Sequence, residues 1–243
     1  GSGTRLWPLS RRDHAKQPVP ILGGEAPFQR TLRRLHDVAA FGKPLVLTGA
    51  EARFMAMDQA AATKVDVDLV VEPTGRDTLA AVAAAAEIVR RRSPGSLVLV
   101  LPSDHIIPEI DRFAAAARAA ASAAEDGSIV VFGLRPTFPA TAFGYIRPEQ
   151  GAETVSSREA GGIEPLPIAA FEEKPDAGRA ARLIEEGCLW NAGMFCFRVE
   201  EGLAEMANLA PEATAAAVAA VAEATIDLGA ICLGAAFEGA PKT

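Results

Sequence analysis

Through most of the chain, short apolar runs alternate with longer stretches in which apolar residues recur every three or four positions. From Pro27 to Phe41, Phe28, Leu32, Leu35 and Val38/Ala39 fall at helical spacing with Arg30, Arg33 and Arg34 turned outward, which predicts an amphipathic helix. Pro44 to Thr48 reads as a strand, Glu51 to Lys64 as a helix, and Val67 to Val71 as a nearly all-apolar strand running into the turn-rich Glu72-Pro73-Thr74-Gly75-Arg76-Asp77-Thr78. Asp77 or Thr78 can cap the next helix, about Leu79 to Arg92, which is apolar almost all round and is expected to be buried. Arg90, Arg91 and Arg92 suit its negative dipole end, and Ser93-Pro94-Gly95 stops it.

Ser96 to Leu101 is the most uninterrupted apolar run, of the kind typical of central parallel strands, and it ends in Pro102-Ser103-Asp104-His105. A helix from Arg112 to Ala124, a strand from Ser128 to Gly133 and a Pro/Thr-rich loop lead to Phe143-Gly144-Tyr145-Ile146, followed to about Pro165 by surface turns or a hairpin. Ile168 to Phe171 runs into Glu172-Glu173-Lys174-Pro175. A helix from Ala177 to Glu186, the segment Leu189-Trp190-Asn191-Ala192-Gly193 and a strand from Met194 to Val199 follow. The tail after Glu201 reads mainly as alanine-rich helix. Strands alternating with helices predict an α/β fold with a parallel sheet, and neither a fixed-period repeat nor a linker marks a second domain.

Composition narrows the classes of partner. The 243 residues are 49% hydrophobic, enough for a substantial core. Lys+Arg 24 against Asp+Glu 31 gives a net charge of −7, which argues against nucleic-acid and anionic-membrane binding; a polyanionic ligand must then be met by a local basic cluster or a metal. Cys188, Cys196 and Cys232 are widely spaced with no C-x-x-C pair, so a reducing, cytoplasmic setting is expected. No run is long and apolar enough for a membrane span, and the start does not have the form of an export signal.

That focus on local charge makes the opening Gly1-Ser2-Gly3-Thr4-Arg5 … Lys16 informative. Two glycines admit an anion to backbone N–H groups, while Thr4, Arg5 and Lys16 add a hydroxyl, a planar donor fork and a point charge. Taken alone, the stretch is a phosphate cradle or a flexible terminus. It is neither a dinucleotide fingerprint, because Leu6 stands where Gly or Ala is required, nor an NTPase loop, whose spacing is absent. Asp104, just past an apolar strand, is a candidate metal ligand or a turn cap.

Six stretches in register share one resemblance. G-S-G-T-R-L-W-P-L-S with Lys16, E-P-T-G-R-D-T from Glu72, L-P-S-D-H from Leu101, F-G-Y-I from Phe143, F-E-E-K-P from Phe171 and L-W-N-A-G-M-F from Leu189 together resemble the sugar-nucleotide pyrophosphorylases, most closely the mannose-1-phosphate guanylyltransferases. The resemblance implies a Rossmann-like nucleotidyltransferase fold with a mostly parallel mixed sheet flanked by helices. It also implies attack of mannose 1-phosphate on the α-phosphorus of GTP, giving GDP-mannose and pyrophosphate, assisted by Mg2+. A sugar phosphate has a second pKa near ~6 and is already an anionic nucleophile at neutral pH, so the reaction needs charge neutralisation more than a protein nucleophile.

Carried over by resemblance, Arg5 and Lys16 are catalytic. Gly1, Ser2, Gly3, Thr4, Glu72, Pro73, Gly75 and Arg76 bind the nucleotide, and Asp104 holds the metal. Gly144, Tyr145, Glu173, Lys174, Asn191 and Gly193 bind the sugar phosphate. A carboxylate at Glu72 could accept from guanine N1–H and the 2-amino group, a pairing adenine does not offer. Pro175 should hold Lys174 extended, sending Glu173 and Lys174 to opposite sides, so that they need not form an ion pair with each other. His105 is assigned a structural role, and Trp190, Phe195 and Phe197 are assigned to the core.

The sequence departs from the pattern at Asp77, where the family has Asn, and at Ala142 and Phe143. The family has an apolar strand before the opening loop and, after a segment like Ala240-Pro241-Lys242-Thr243, a second metal-binding aspartate. The expectation is therefore that residues 1–243 are a nucleotidyltransferase domain trimmed at both ends, with any following isomerase domain also outside. A homodimer is an open expectation. Two alternatives remain: a sugar-1-phosphate nucleotidyltransferase using dTTP or UTP, and a non-catalytic nucleotide-sugar-binding regulatory subunit.

Overall fold

The computed structural model describes residues 24–37, 41–149 and 163–242. They divide into two units. One holds the described residues up to Ser96 together with Pro102–Ile110 and those from Val199 on; the other holds Leu97–Leu101 and Asp111–Arg198.

In the first unit, β1 (Leu45–Gly49) and β2 (Asp68–Glu72) pair in parallel, β9 (Ala230–Cys232) adds in parallel to β2, and β8 (Thr225–Asp227) closes the edge antiparallel, giving the order β1-β2-β9-β8. The period-2 pleat sorts the apolar side chains cleanly. Leu45, Leu47, Val70 and Ile231 face the alanine-rich helices α3 (Thr78–Arg92) and α7 (Pro211–Ala222), while Val46, Leu69, Val71 and Cys232 face the other layer. There α1 (Pro27–Asp37) and α2 (Arg53–Thr63) bury Phe28, Leu32 and Ala60. Alanine lets α3 approach strand and helix closely, since Ala80, Ala83, Ala84, Ala217 and Ala220 are all buried. Asp77 holds the N-cap position of α3 but makes no side-chain cap bond. At the other end the buried Glu87 carboxylate accepts from Arg90 and Arg91, hydrogen bonds that hold it below the usual carboxylate range.

The tail is not all helix. After α6 (Val199–Leu209) and α7, β8 and β9 form a hairpin, and a 3-10 turn spans Ala235–Gly239. Three-residue strands leave no periodic signal; β9 exists because Val70 and Val71 of β2 supply its partners. Gly234 lies against the end of α7, its N–H donating to the Ala220 carbonyl at 2.9 Å. A Cβ there would stand 2.2 Å from the Glu223 Cβ and 3.3 Å from the Ala220 oxygen. Gly234→Ala is therefore expected to destabilise the protein by about 1–3 kcal/mol through overpacking. Thermal unfolding checks this, and an unchanged midpoint would refute the packing assignment.

In the second unit, β7 (Leu189–Arg198) is the shared strand. It pairs antiparallel with β3 (Leu97–Val100), β4 (Val130–Leu134) and β5 (Gly144–Pro148), and β5 pairs antiparallel with β6 (Ile168–Glu173). The parallel pairing expected of the Ser96–Leu101 run is thus not what β3 makes with β7; among the described residues the parallel pairs are β1 with β2 and β2 with β9. Helix α4 (Ile110–Glu125) packs Ala120 and Ala124 against Cys196, Leu97 and Leu99. Helix α5 (Ala177–Glu185) packs Ala180 and Leu183 against Tyr145 and Cys188. Burial in this core pushes the Cys196 thiol up to about 11, which leaves it a packing group.

Candidate functional site

Glu72 is the last residue of β2, at the carboxyl end of a parallel strand, where open α/β sheets place ligands. It is 9% exposed, and burial raises its carboxyl pKa above the ordinary glutamate value. The chain then turns outward through the exposed Pro73 and Gly75. No atom of the described residues lies within 4 Å of where a Cβ at Gly75 would be, so among them neither packing nor backbone angle demands glycine there. Arg76 is half-buried and its guanidinium donates to the Glu238 carbonyl, tying the loop to the 3-10 turn. Asp104 lies in the same unit, half-buried in a turn.

In the second unit three strands assemble one face. Gly144 on β5 registers with Glu173 on β6, and a Cβ at Gly144 would meet the Glu173 Oε2 at 2.6 Å and the Asn191 Cβ at 3.6 Å. The bare glycine lets the Glu173 carboxylate lie across the strand beside Asn191. Asn191 is itself set by an irregularity: β4 steps from Val131 to Gly133 while β7 steps from Phe195 to Asn191, and within that bulge Gly193 takes φ +65°. The Gly193 N–H donates to Asn191 Oδ1 at 2.9 Å. Because only the oxygen can accept, the Asn191 amide NH2 remains to donate to a ligand.

Two expectations are corrected on this face. Lys174 is not extended before Pro175: it has φ +46°, because its N–H continues the β5–β6 ladder onto the Phe143 carbonyl at 3.2 Å while the chain turns to bury Pro175. Its Nζ consequently meets Glu173 Oε1 at 3.0 Å, so the two side chains do form an ion pair. Tyr145 does not face a ligand. It is 1% exposed, packs against Ala180, Leu183 and Cys188, and donates its hydroxyl to the Ala140 carbonyl at 3.0 Å. Strand alternation explains this, since Tyr145 follows Gly144 and must point to the opposite face. Trp190 shares that core side with Phe138 and Phe143 edge-on to its ring at 4.9 and 5.2 Å, and Phe197 is buried, in line with their core assignment.

A third correction concerns Arg34. Expected outward, it is 3% exposed; its Nη2 donates to Thr31 Oγ1 at 3.4 Å and to the His105 carbonyl at 3.1 Å, and burial lowers its pKa. It sits on the flank of α1's apolar stripe, so its burial depends on the turn beside it, which helical periodicity does not encode. Gly1, Ser2, Gly3, Thr4, Arg5 and Lys16 lie outside the described residues.

Among the described residues no group of three or more His, Cys, Asp or Glu side chains could by itself hold a metal ion. Mg2+ at phosphoryl-transfer sites is held through one or two carboxylates plus substrate phosphates and water, so Asp104 fits that arrangement and an all-protein cage is not what these donors offer. No helix among the described residues is long and apolar enough to cross a membrane.

The model of the nucleotidyl transferase family matches residues 1–234. The chain belongs to that family. The chain is 44% identical over 230 residues to a mannose-1-phosphate guanylyltransferase of Sinorhizobium fredii, covering 93% of this chain and 43% of the relative. It is 38% identical over 216 residues to the mannose-1-phosphate guanylyltransferase of Escherichia coli K12, covering 87% of this chain and 44% of that one. It thus spans under half the length of these relatives. Among solved structures, a Thermus thermophilus protein described as a mannose-1-phosphate geranyltransferase superposes with TM-score 0.80 at 30% identity, covering 100% of this chain and 66% of that one. A Helicobacter pylori protein described as a mannose-6-phosphate isomerase, 22% identical over 95% of this chain and 86% of its own, shares the fold with TM-score 0.79.

Proposed function

We propose that this protein transfers the GMP unit of GTP to mannose 1-phosphate, giving GDP-mannose and pyrophosphate. An oxygen of the sugar phosphate forms a bond to the α-phosphorus of GTP, the bond from that phosphorus to the bridging oxygen breaks, and its electron pair leaves with pyrophosphate. No proton has to be removed from the nucleophile. The observation that carries the sugar half is the Gly144–Glu173–Asn191 face: a carboxylate that accepts and an amide whose oxygen is engaged and whose NH2 remains to donate, matched to adjacent hydroxyls.

Lys174 would exchange its Glu173 partner for the sugar phosphate. Glu72, through its ionised form, would accept the two N–H groups of guanine, while Gly75, without a side chain, would admit the base. Arg5 and Lys16 take the triphosphate in this reading, with Gly1 to Thr4 as its cradle. Asp104 would hold Mg2+, which supplies neutralisation of the crowded phosphate charge. A cytoplasmic setting agrees with free Cys188, Cys196 and Cys232.

Pyrophosphate release by the full-length protein, measured across four NTPs and several sugar 1-phosphates, tests the reading. GTP with mannose 1-phosphate is expected to be the fastest pair. Faster turnover with dTTP or UTP would overturn the guanylyl assignment, and nucleotide-sugar binding without any turnover would favour the regulatory alternative.

A further inference from the structure

Arg34 is a charge enclosed in the first unit and unused by the reaction as described. Burying a guanidinium is costly, and a packing role alone is met as well by leucine or methionine. Its surroundings are polar by construction. Thr31, 5% exposed, accepts from Arg34 Nη2 and donates its own hydroxyl to the Pro27 carbonyl at 3.1 Å, so the guanidinium is braced within α1 before it reaches out. What it reaches, 71 positions along the chain, is the carbonyl of His105, the residue after Asp104. Between β3 and α4 the chain has no helix or strand, so the placement of Asp104 depends on side-chain anchors of this kind. A charged donor on a carbonyl is among the stronger of such anchors.

We propose that Arg34 is a positioning residue that clamps the Pro102–His105 turn to α1 and so aims the Asp104 carboxylate at the divalent metal carried by the nucleotide. This rests on the reading of Asp104 as the metal ligand. In this role the guanidinium acts through the backbone of His105, one residue from Asp104. Losing it would leave α1 packed by Phe28 and Leu32 and would loosen the turn.

The test is equilibrium binding of GTP to the full-length protein with and without Mn2+, for the wild type and for Arg34→Gln, Arg34→Met, Arg34→Lys and Asp104→Asn, with thermal unfolding alongside. The ratio of the two affinities reports the coupling between metal and Asp104. Arg34→Gln is expected to reduce that ratio about tenfold with metal-free GTP binding unchanged. Arg34→Lys, which keeps a charged donor on a differently shaped head, should recover part of it. A ratio within twofold of wild type in Arg34→Gln overturns the proposal, whatever happens to the unfolding midpoint; should that variant fail to fold, the same result in Arg34→Met, which keeps the length and removes every donor, overturns it. Asp104→Asn separates the two readings. If it leaves the ratio intact, the metal role of Asp104 fails and the proposal with it; if it abolishes the ratio while Arg34→Gln and Arg34→Met keep theirs, the clamp alone is wrong.

Discussion

Lys174→Ala is expected to lower kcat/KM for mannose 1-phosphate by about 10²–10³-fold, with GTP affinity within twofold of wild type, as measured by steady-state pyrophosphate release and equilibrium GTP binding. The side chains of Lys174 and Glu173 are 60% and 66% exposed, so their 3.0 Å ion pair adds about 0–1 kcal/mol to stability at most and its loss should not unfold the protein. Lys174 nevertheless occupies a left-handed backbone conformation that costs an ordinary residue about 1 kcal/mol. A position strained in the backbone yet nearly free in stability is where a side chain is kept for a ligand. With a phosphate present, the ammonium gains a partner of higher charge than Glu173. Retention of kcat/KM within tenfold in the alanine variant would assign Lys174 to the surface pair alone.

Glu72→Gln is expected to weaken GTP binding by about 100-fold and to erase most of the preference over ATP, as measured by equilibrium titration of both nucleotides. Hydrogen bonds to a charged acceptor are worth about 1.5–3 kcal/mol, and an amide turns one acceptor into a donor facing guanine's own N–H groups. The pH dependence separates this from a packing effect. Burial raises the Glu72 pKa in the free protein, and two guanine donors favour its ionised form, so affinity falls as pH drops through that raised value. The Gln variant loses this dependence. Stability runs the other way: the folded state holds the Glu72 proton more tightly than the unfolded chain, so stability is lost as pH rises from the unfolded pKa through the folded one. The Gln variant, free of that loss, should unfold at neutral pH no earlier than wild type. A GTP affinity in the variant within threefold of wild type would remove Glu72 from base recognition.

Much of the fold is legible in the chain because it is set by local periodicity. The predicted spans for α2, α3, α5, β1 and β2 differ from the structure by a residue or two, since a helix or strand that buries one face must repeat its apolar residues at 3.6 or 2. The motif residues are legible for a related reason: Gly144, Glu173 and Asn191 sit on neighbouring strands, and their chemistry is readable in the residues themselves. What escaped was whatever a partner segment imposes. Strand β9 needs β2 beside it, and β7 extends back to Leu189 because β4 and β5 pair there. Tyr145 enters the core because α5 and Cys188 lie on its side of the strand, whereas its neighbour Gly144 lies under a carboxylate. Lys174 is left-handed because its N–H finds Phe143, against the preference that Pro175 exerts locally. Arg34 is buried because a turn far along the chain offers it a carbonyl. Elements and candidate chemistry are thus local properties of the residues, while the aim of each side chain is set by long-range contacts that no window of sequence contains.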